Sequence, residues 1–283
     1  MKQKSLEVIY TPSSQIYHPV QLFREMCRDL VRSHELGWQM LTRDINAQYR
    51  DSFLGIIWAL VPPAVTAAGF AFANNSGIIN VGATDIPYPA FVMLGTTLWQ
   101  TFVEACNGPQ QAIQNYRLLF LQVKIPYEAI IWSQLGQITF NLIIKLIFVV
   151  LIFIIFKVPV SWMIIFAPVA LLSLIIFGMA LGLFLIPVLN LVQDVSRTFQ
   201  FGIVAWFFLT PVAFPVPNNG ILSLIIQINP VTPLLITARE MITTGNLTAL
   251  VPFCCVSIIS LIALVGGWVI FRLSMPFIAE RIS

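Results

Sequence analysis

Long apolar stretches, separated by short polar ones, run through most of this chain. Six of them hold roughly the 20 predominantly apolar residues that a helix needs to cross a hydrocarbon core of about 30 Å. They cover residues 53–73, 88–106, 129–156, 162–190, 199–217 and 250–273. A chain in lipid must satisfy its own backbone hydrogen bonds, and the alternating pattern of membrane strands is absent from the sequence. The pattern therefore predicts an all-α polytopic membrane protein with six transmembrane helices.

The region between the fifth and sixth stretches has a different pattern. Two apolar pieces, 221–228 and 232–243, flank an Asn-Pro pair at 229–230, and each is too short as a helix to cross the membrane. If they formed one seventh span, it would bury Arg239 and Glu240. The favoured interpretation is a re-entrant pair of half-helices that enters from the outer face and turns back at Asn-Pro.

The region before the first stretch is polar and amphipathic. His18-Pro19 can start a helix, and Gly37 is expected to interrupt it. The apolar side chains that share one helical face are Leu22, Phe23, Met26, Leu30 and Val31. This pattern is typical of a helix in the membrane surface, with Trp38 at the headgroup level, and equally of a docking surface for a cytoplasmic partner.

Composition agrees with the pattern and excludes other classes of protein. Of the 283 residues, 58% are hydrophobic and only 10% are charged, whereas a soluble domain is about one quarter charged. A chain with 22 phenylalanines is not intrinsically disordered. The net charge of +3 is too small to indicate a nucleic-acid partner. The four cysteines have no metal-ligand spacing and are interpreted as small apolar residues.

The positions of the basic residues predict the orientation. Of the 15 Lys and Arg, 12 precede the first span, follow the last, or lie in the second-to-third and fourth-to-fifth connections. Lys157 and Arg239 fall on the other side, and Lys145 lies within the third span. The positive-inside rule then predicts a cytoplasmic-membrane protein with both termini in the cytoplasm. The predicted divisions are a cytoplasmic region at 1–52, a six-helix transmembrane domain at 53–283, a cytoplasmic segment at 107–128 and an extracytoplasmic re-entrant hairpin at 218–246.

The sequence offers little catalytic chemistry. The two histidines, His18 and His34, precede the first span, and no His-Glu-x-x-His pattern is present, so neither a catalytic nor a metal site is predicted. A Gly-x-x-x-x-Gly-Lys-Ser/Thr loop is also absent, so this chain cannot hold ATP phosphates in that way. Glu104 and Lys145 are too few for a proton relay across the spans. Lys145 is expected either to reach a polar partner or the interface, or to line a pathway.

Aromatic side chains are frequent in the first, second and fifth spans. Their faces can stack on the apolar faces of sugar rings, which would give a track without fixed hydrogen bonds; ordinary packing and interface belts are the alternative. The residues chosen as candidates for a substrate channel are Trp58, Phe70, Trp99, Trp206 and Phe207.

Three blocks of residues form a pattern together. The first is Arg43-Asp44, then Tyr49-Arg50-x-Ser52-x-Leu54-Gly55-x-x-Trp58 and Pro62. The second is Asn115, Leu118, Lys124 and Pro126, and the third is Asn229-Pro230-Val231-Thr232-Pro233 followed by Arg239-Glu240. In order and spacing, from about Trp38 to the last span, they resemble the type-2 ABC transporter permeases that export polysaccharides.

The resemblance implies a homodimer of permeases with two copies of a separate ABC ATPase subunit, which would bind ATP and Mg²⁺; this chain would bind no cofactor. The substrate would be a lipid-linked polysaccharide of the O-antigen, capsule or teichoic-acid type. The channel would lie between the protomers, lined by spans one and five.

The resemblance also assigns roles to residues. Asn229, Pro230, Arg239 and Glu240 would shape the outer exit, and the segment 107–128 would face the cytoplasmic partner, for which a plain solvated turn is the alternative. The residues implied to couple the permease to the ATPase are Arg43, Asp44, Tyr49, Arg50, Ser52, Leu54, Gly55, Asn115, Lys124 and Pro126.

Three alternatives remain at this point. A type-2 ABC permease for a small lipid or drug would share the fold but usually lacks the Tyr-Arg-x-Ser-x-Leu-Gly block. A non-transporting membrane scaffold or an intramembrane transferase would leave the Asn-Pro pair unexplained. In every case membrane lipids surround the chain.

Overall fold

A computed structural model describes residues 19–50, 55–116, 126–217 and 220–282 of the chain. In these residues all regular secondary structure is helical, which confirms the predicted all-α class. The α-helices are α1 (Pro19–Arg32), α2 (His34–Arg50), α3 (Val61–Asn75), α4 (Tyr88–Asn115), α5 (Glu128–Phe156), α6 (Ala167–Leu191), α7 (Gln193–Phe208), α8 (Ile221–Ile228), α9 (Val231–Ile242) and α10 (Leu250–Ile282). Two 3₁₀ helices, Gly55–Ala59 and Trp162–Phe166, precede α3 and α6.

In the part of the chain that the structure describes, three helical segments are long and apolar enough to cross a membrane by themselves. They are Glu128–Phe156, Trp162–Asn190 and Leu250–Ile278, which correspond to the predicted third, fourth and sixth spans. The pair α8 and α9 would be a fourth candidate if it formed one span, and it is bent by 85° at the Asn-Pro pair. The long apolar runs are thus the part of the membrane architecture that the structure reproduces most directly.

Helix α4 is the central element. It packs against α3, α5, α6 and α9, and α6 packs in turn against α10. Two glycines allow α6 to approach α4 closely: a Cβ at Gly178 would lie 2.6 Å from the Cβ of Ala105, and one at Gly182 would lie 2.5 Å from the carbonyl oxygen of Cys106. Small residues four positions apart on a helix are a common way for membrane helices to pack at short distance.

Helix α4 is longer than the predicted second span. It continues without a break through Pro109 to Asn115, so the first part of the predicted cytoplasmic segment 107–128 belongs to this helix. Pro109 lies inside this helix and removes one of its backbone hydrogen bonds. Polar side chains beside Pro109 form hydrogen bonds with α7 and hold this part of α4 in place. Gln200 Nε2 donates to Asn107 Oδ1 at 2.9 Å, and the buried Gln110 side chain donates to Ser196 at 2.8 Å.

The N-terminal helices meet at Ser33, so the predicted break at Gly37 is wrong. Helix α1 begins at Pro19 as predicted, and Gly37 lies inside α2. A Cβ at Gly37 would lie 2.5 Å from the Cβ of Trp132, so the missing side chain allows α2 to pack against α5. The indole Nε1 of Trp132 donates to the Leu30 carbonyl at 2.8 Å, which attaches α1 to the same helix.

The predicted first and fifth spans differ most from the helices in the structure. The first is a 3₁₀ helix followed by α3, whose first turn contains two prolines. The fifth, predicted at 199–217, is α7, which begins at Gln193 and ends at Phe208. Its predicted second half is irregular because Pro211, Pro215 and Pro217 have no N–H to donate to a preceding turn.

Candidate functional site

Residues from three elements meet at one end of the helices, where α2, α4 and α5 converge. The hydroxyl of Tyr116, directly after α4, donates a hydrogen bond to the Asp44 carboxylate in α2. Ser133 in α5 donates to the same carboxylate at 3.5 Å. The Arg43 guanidinium lies over the Tyr116 ring, 4.5 Å from its centroid. We call Arg43, Asp44, Tyr116 and Ser133 the coupling cluster.

The chemistry of the coupling cluster is that of a fixed junction. Tyr116 is only 1% exposed. Burial raises the pKa of its hydroxyl, and the hydrogen bond to Asp44 raises it further. The phenol therefore stays protonated and remains a donor at physiological pH. A hydrogen bond to an ionised carboxylate is stronger than one between neutral groups, so this bond holds the end of α4 against α2.

Other predicted coupling residues lie around this junction. Tyr49 and the exposed Arg50 are at the end of α2, and Asn115 is the exposed last residue of α4. Pro126 lies two residues before α5, and its carbonyl accepts from the Ala129 N–H at 3.2 Å. Gly55 begins the first 3₁₀ helix with a φ of +50°, a conformation that favours glycine. Ser52, Leu54 and Lys124 lie outside the described residues.

A buried ion network attaches the last helix to the same end of the molecule. Arg272 in α10 binds Asp29 in α1, with 2.7 Å between Nη2 and Oδ2. Its Nη1 donates to Glu128, the first residue of α5, whose carboxylate is fully buried. Such an arrangement is stable only when the charges are paired. The network therefore fixes α1, α5 and α10 relative to one another beside the coupling cluster.

The charged residues of the second and third spans form a pair. Lys145 is 1% exposed, and its Nζ lies 2.5 Å from Oε1 of Glu104. Asn141 donates to the second oxygen of Glu104 at 3.4 Å. Of the two expectations for Lys145, the structure supports a polar partner. The pair joins α4 to α5 within the apolar part of the bundle.

Four of the five predicted channel residues meet in one aromatic cluster, which we define as Phe70, Trp99, Phe102, Trp206 and Phe207. Trp99 and Phe102 of α4 contact Trp206 of α7, with ring centroids 6.4 and 5.4 Å apart. Phe207 of α7 contacts Trp99 at 5.8 Å and Phe70 of α3 at 5.9 Å.

The members of the aromatic cluster differ in exposure. Trp99 and Phe102 are buried, whereas Phe70, Trp206 and Phe207 are partly exposed. The buried members pack α4 against α7, so packing is part of their role. The remaining predicted channel residue, Trp58, lies apart on the first 3₁₀ helix and is 54% exposed.

Asn229 organises the bend between α8 and α9. Its Oδ1 accepts from the Trp206 indole N–H at 3.0 Å and from the backbone N–H of Val231 at 3.0 Å. Its Nδ2 donates to the Leu209 carbonyl at 3.2 Å and to Thr210 at 2.8 Å. The amide thus uses both donors and its acceptor, and it connects the bend to the end of α7. Pro230 follows it as the residue before the first turn of α9.

The other two predicted exit residues hold α9 in place. Arg239 is 7% exposed, donates to the carbonyls of Pro211 and Val212 at 3.2 and 2.8 Å, and lies over the Phe91 ring of α4 at 3.8 Å. Glu240 accepts two hydrogen bonds from Thr248, at 2.9 and 2.5 Å. These contacts tie α9 to the turn after α7, to α4 and to the approach to α10.

Sequence reasoning missed several residues of these sites. Tyr116 stands beside the predicted Asn115, but nothing in the sequence showed that its hydroxyl reaches Asp44. Asp29 and Arg272 are not among the residues that the sequence singled out. Their partners are distant in sequence, and only the fold brings them together.

An all-helical fold with long apolar helices is the architecture expected of a membrane permease. The family model described as ABC-2 type transporter matches residues 35–243, which is most of the chain. The chain therefore belongs to the ABC-2 type transporter family and is a transporter component of the membrane.

Individual relatives point to a branch of that family. The chain is 23% identical to the O-antigen export system permease protein RfbA of Myxococcus xanthus over 261 residues, 91% of this chain and 99% of that protein. It is 26% identical to two Klebsiella pneumoniae proteins of the same name over 216 residues, 72% of this chain and 79% of each. The resemblance to polysaccharide-export permeases, read from the three sequence blocks, is confirmed.

Proposed function

We propose that this chain is the membrane-spanning permease of an ATP-driven exporter that moves a lipid-linked polysaccharide of the O-antigen type across the cytoplasmic membrane. The observation on which this rests is similarity over 91% of the chain to a protein named for O-antigen export. The family assignment supplies the transport function. Capsule and teichoic-acid polymers belong to the same substrate class.

The energy would come from two copies of a separate ABC ATPase bound to a homodimer of this chain, with ATP and Mg²⁺ held by the ATPase. The surface for that partner would be the coupling cluster together with Tyr49, Arg50, Gly55, Asn115 and Pro126. Ser52, Leu54 and Lys124 complete the proposed set from the sequence.

Helix α4 offers a mechanical route between the two ends of the permease. Its 28 residues form a rod of about 42 Å at about 1.5 Å per residue. One end is fixed to α2 through the Tyr116–Asp44 bond. Near the other end, Phe91 lies under Arg239, and the Tyr88 hydroxyl donates to the Ala213 carbonyl at 2.9 Å. A displacement of α2 by the ATPase would therefore move the contacts around α9.

The proposed topology has six spans, with α8 and α9 as a re-entrant pair and both termini in the cytoplasm. The 85° bend supports a hairpin over a straight span. The hydrogen bonds of Asn229 support it as well, because they satisfy the polar groups at the turn inside the protein. In this arrangement Asn229, Pro230, Arg239 and Glu240 would surround the outer exit.

The substrate channel would lie between two protomers, against α3 and α7. Aromatic and polar side chains are exposed together on α7, where Phe201 and Phe208 are accompanied by Thr198 and Gln200. The partly exposed Phe70, Trp206 and Phe207 lie at the inner side of this surface, and Trp58 is exposed near α3. Aromatic rings beside polar groups suit a sugar chain, whose rings have apolar faces and hydroxyl edges.

A reconstituted transport assay tests the proposal. The chain and its ATPase partner are placed in proteoliposomes, and lipid-linked polysaccharide is added to the outer leaflet. We expect ATP hydrolysis to move the polymer inside, measured as protection from an added polysaccharide-cleaving enzyme. A non-hydrolysable ATP analogue provides the control.

A parallel assay with a fluorescent short-chain phospholipid and a cationic drug distinguishes the proposed function from the main alternative, a permease for a small lipid or drug. ATP-dependent movement of either probe without protection of the polymer would replace the proposed function by that of a small-lipid or drug permease. Protection that does not depend on ATP hydrolysis would contradict both.

A further inference from the structure

An apolar groove lies at the end of the bundle opposite the coupling cluster. It is a groove of about 500 Å³ between α5, the second 3₁₀ helix, α6 and the last residue of α9. The buried side chains of Val149, Phe153 and Ala167 form its floor, and the exposed side chains of Ile154 and Val160 form its mouth. Its volume is within the range of about 300–1,000 Å³ that is usual for small-molecule sites.

The position of the groove places it near a membrane surface. Helix α5 runs from the coupling cluster at Ser133 to Phe156, a distance of about 35 Å at about 1.5 Å per residue. Trp162, beside the groove, is 70% exposed, as expected of an indole at the boundary between hydrocarbon and headgroups. In the proposed topology, on which this inference rests, the mouth would therefore open toward lipid.

Lys157 is the one charged residue among the described residues that line the groove. It caps α5 in the left-handed conformation, with a φ of +52°, where glycine is the usual residue. Its side chain is exposed, and it makes no ion pair within the described part of the chain. A flexible cation thus stands at the rim of an otherwise apolar groove.

We propose that the groove binds one acyl chain of an anionic phospholipid whose phosphate pairs with Lys157. The apolar floor suits an acyl chain. The single cation at the rim, Lys157, suits the phosphate of a headgroup that carries no positive charge of its own. Phospholipid is also the component present in greatest excess where the mouth opens. A zwitterionic lipid would bring its own cation next to Lys157 and would bind less well.

The bound lipid would act on the re-entrant pair. Ile242, the end of α9, lines the groove, and its carbonyl accepts from the Ser161 N–H at 3.2 Å. An acyl chain between α5 and α6 would therefore contact the end of α9, one turn beyond Arg239. A ligand that binds only the folded state stabilises it, and the stabilisation grows with the logarithm of ligand concentration above its Kd, so this lipid should raise the thermal stability of the chain.

Lipid retention measured by native mass spectrometry tests the proposal on the purified full chain. Micelles of a neutral detergent are doped with phosphatidylglycerol or with phosphatidylcholine. We expect the wild type to retain one phosphatidylglycerol at least five-fold more often than phosphatidylcholine, and Lys157→Gln to lose that preference. Arg197→Gln removes an exposed basic residue that does not line the groove, and this variant should keep the preference for phosphatidylglycerol.

A second pair of variants tests the groove itself. Val160→Trp fills the mouth and should lower retention of both lipids at least five-fold, whereas Val169→Trp, an exposed position outside the lining, should not. A phosphatidylglycerol with a photoreactive acyl chain should label peptides that contain Phe153 or Leu171. Equal retention of both lipids by the wild type, unchanged retention in Val160→Trp, or labelling confined to other peptides would each overturn the proposal.

Discussion

Single side chains in this protein connect elements that the chain order keeps far apart. Asp44 and Tyr116 are 72 residues apart, and Arg272 is 243 residues from Asp29. Such pairs cannot be read from one sequence, because nothing in the local pattern distinguishes Tyr116 from any other tyrosine in a polar segment. Arg43, Asp44 and Asn229 could be chosen as candidates from sequence because the motifs that resemble the family include them.

Tyr116→Phe should weaken coupling without unfolding the chain. The ring stays in place under Arg43, but the hydrogen bond to the Asp44 carboxylate is lost, which is worth about 1.5–3 kcal/mol for a charged acceptor. We expect the amount of polymer moved per ATP hydrolysed to fall several-fold in proteoliposomes. Ser260→Ala removes one buried hydroxyl hydrogen bond within α10, away from α2 and α4, and is the matched control. Equal losses in the two variants would argue against a coupling role for Tyr116.

Asn229→Asp should destabilise the bend between α8 and α9. The carboxylate keeps the acceptor for Trp206 but cannot donate to the Leu209 carbonyl, and it places a charge in a site that is 7% exposed. We expect a loss of about 2 kcal/mol or more, from lost hydrogen bonds and buried charge, seen as a lower thermal midpoint in detergent. Asn246→Asp, at an exposed position, should change the stability by no more than about 0.5 kcal/mol.

At the scale of helices, sequence reasoning succeeded where hydrophobicity alone decides the structure. The runs that became α5 and α6 were identified within a few residues because long apolar helices need no particular partner. The run that became α10 was identified from its first residue, but α10 continues nine residues past the predicted end at 273. Sequence reasoning failed where packing decides: α4 continues past its apolar part because α7 receives Asn107 and Gln110, and Gly37 lies within a helix because Trp132 approaches it. Prolines ended α7 earlier than its apolar composition indicated.

Gly178→Ala should separate α4 from α6. The new methyl group would lie 2.6 Å from the Cβ of Ala105 and 2.9 Å from the carbonyl oxygen of Phe102, so the helices must move apart, at a cost of about 1–3 kcal/mol. Gly69→Ala is the control in which no clash is expected, because no atom lies within 4 Å of the added methyl group. Alanine is also more favourable than glycine inside a helix by about 1 kcal/mol. Thermal midpoints should therefore fall for the first variant and stay level or rise for the second. The same change in both would show that α4 and α6 are not closely packed.

At the scale of the molecule, the exposed apolar surface has two characters. The outward positions of α10 include Ile258, Ile259, Leu261 and Ile262, all aliphatic and at least half exposed. The outward positions of α7 combine aromatic residues with polar ones, as in Phe201 one turn from the exposed Thr198. Aliphatic surface suits lipid tails, whereas a mixed surface suits a protein partner or a sugar chain. The two faces therefore predict which side of the permease meets a second copy.

Cross-linking between cysteines tests that difference in a variant in which Cys27, Cys106, Cys254 and Cys255 are replaced by alanine. Phe201→Cys should form a covalent dimer in membranes, because α7 of one copy would face α7 or α3 of the other across the proposed channel. Ile262→Cys is comparably exposed but faces lipid, and it should remain monomeric. Bound polysaccharide between the protomers should lower the yield of the Phe201→Cys dimer. A dimer formed through Ile262→Cys alone would place the second copy against α10 and would leave α7 facing lipid, which contradicts the proposed channel.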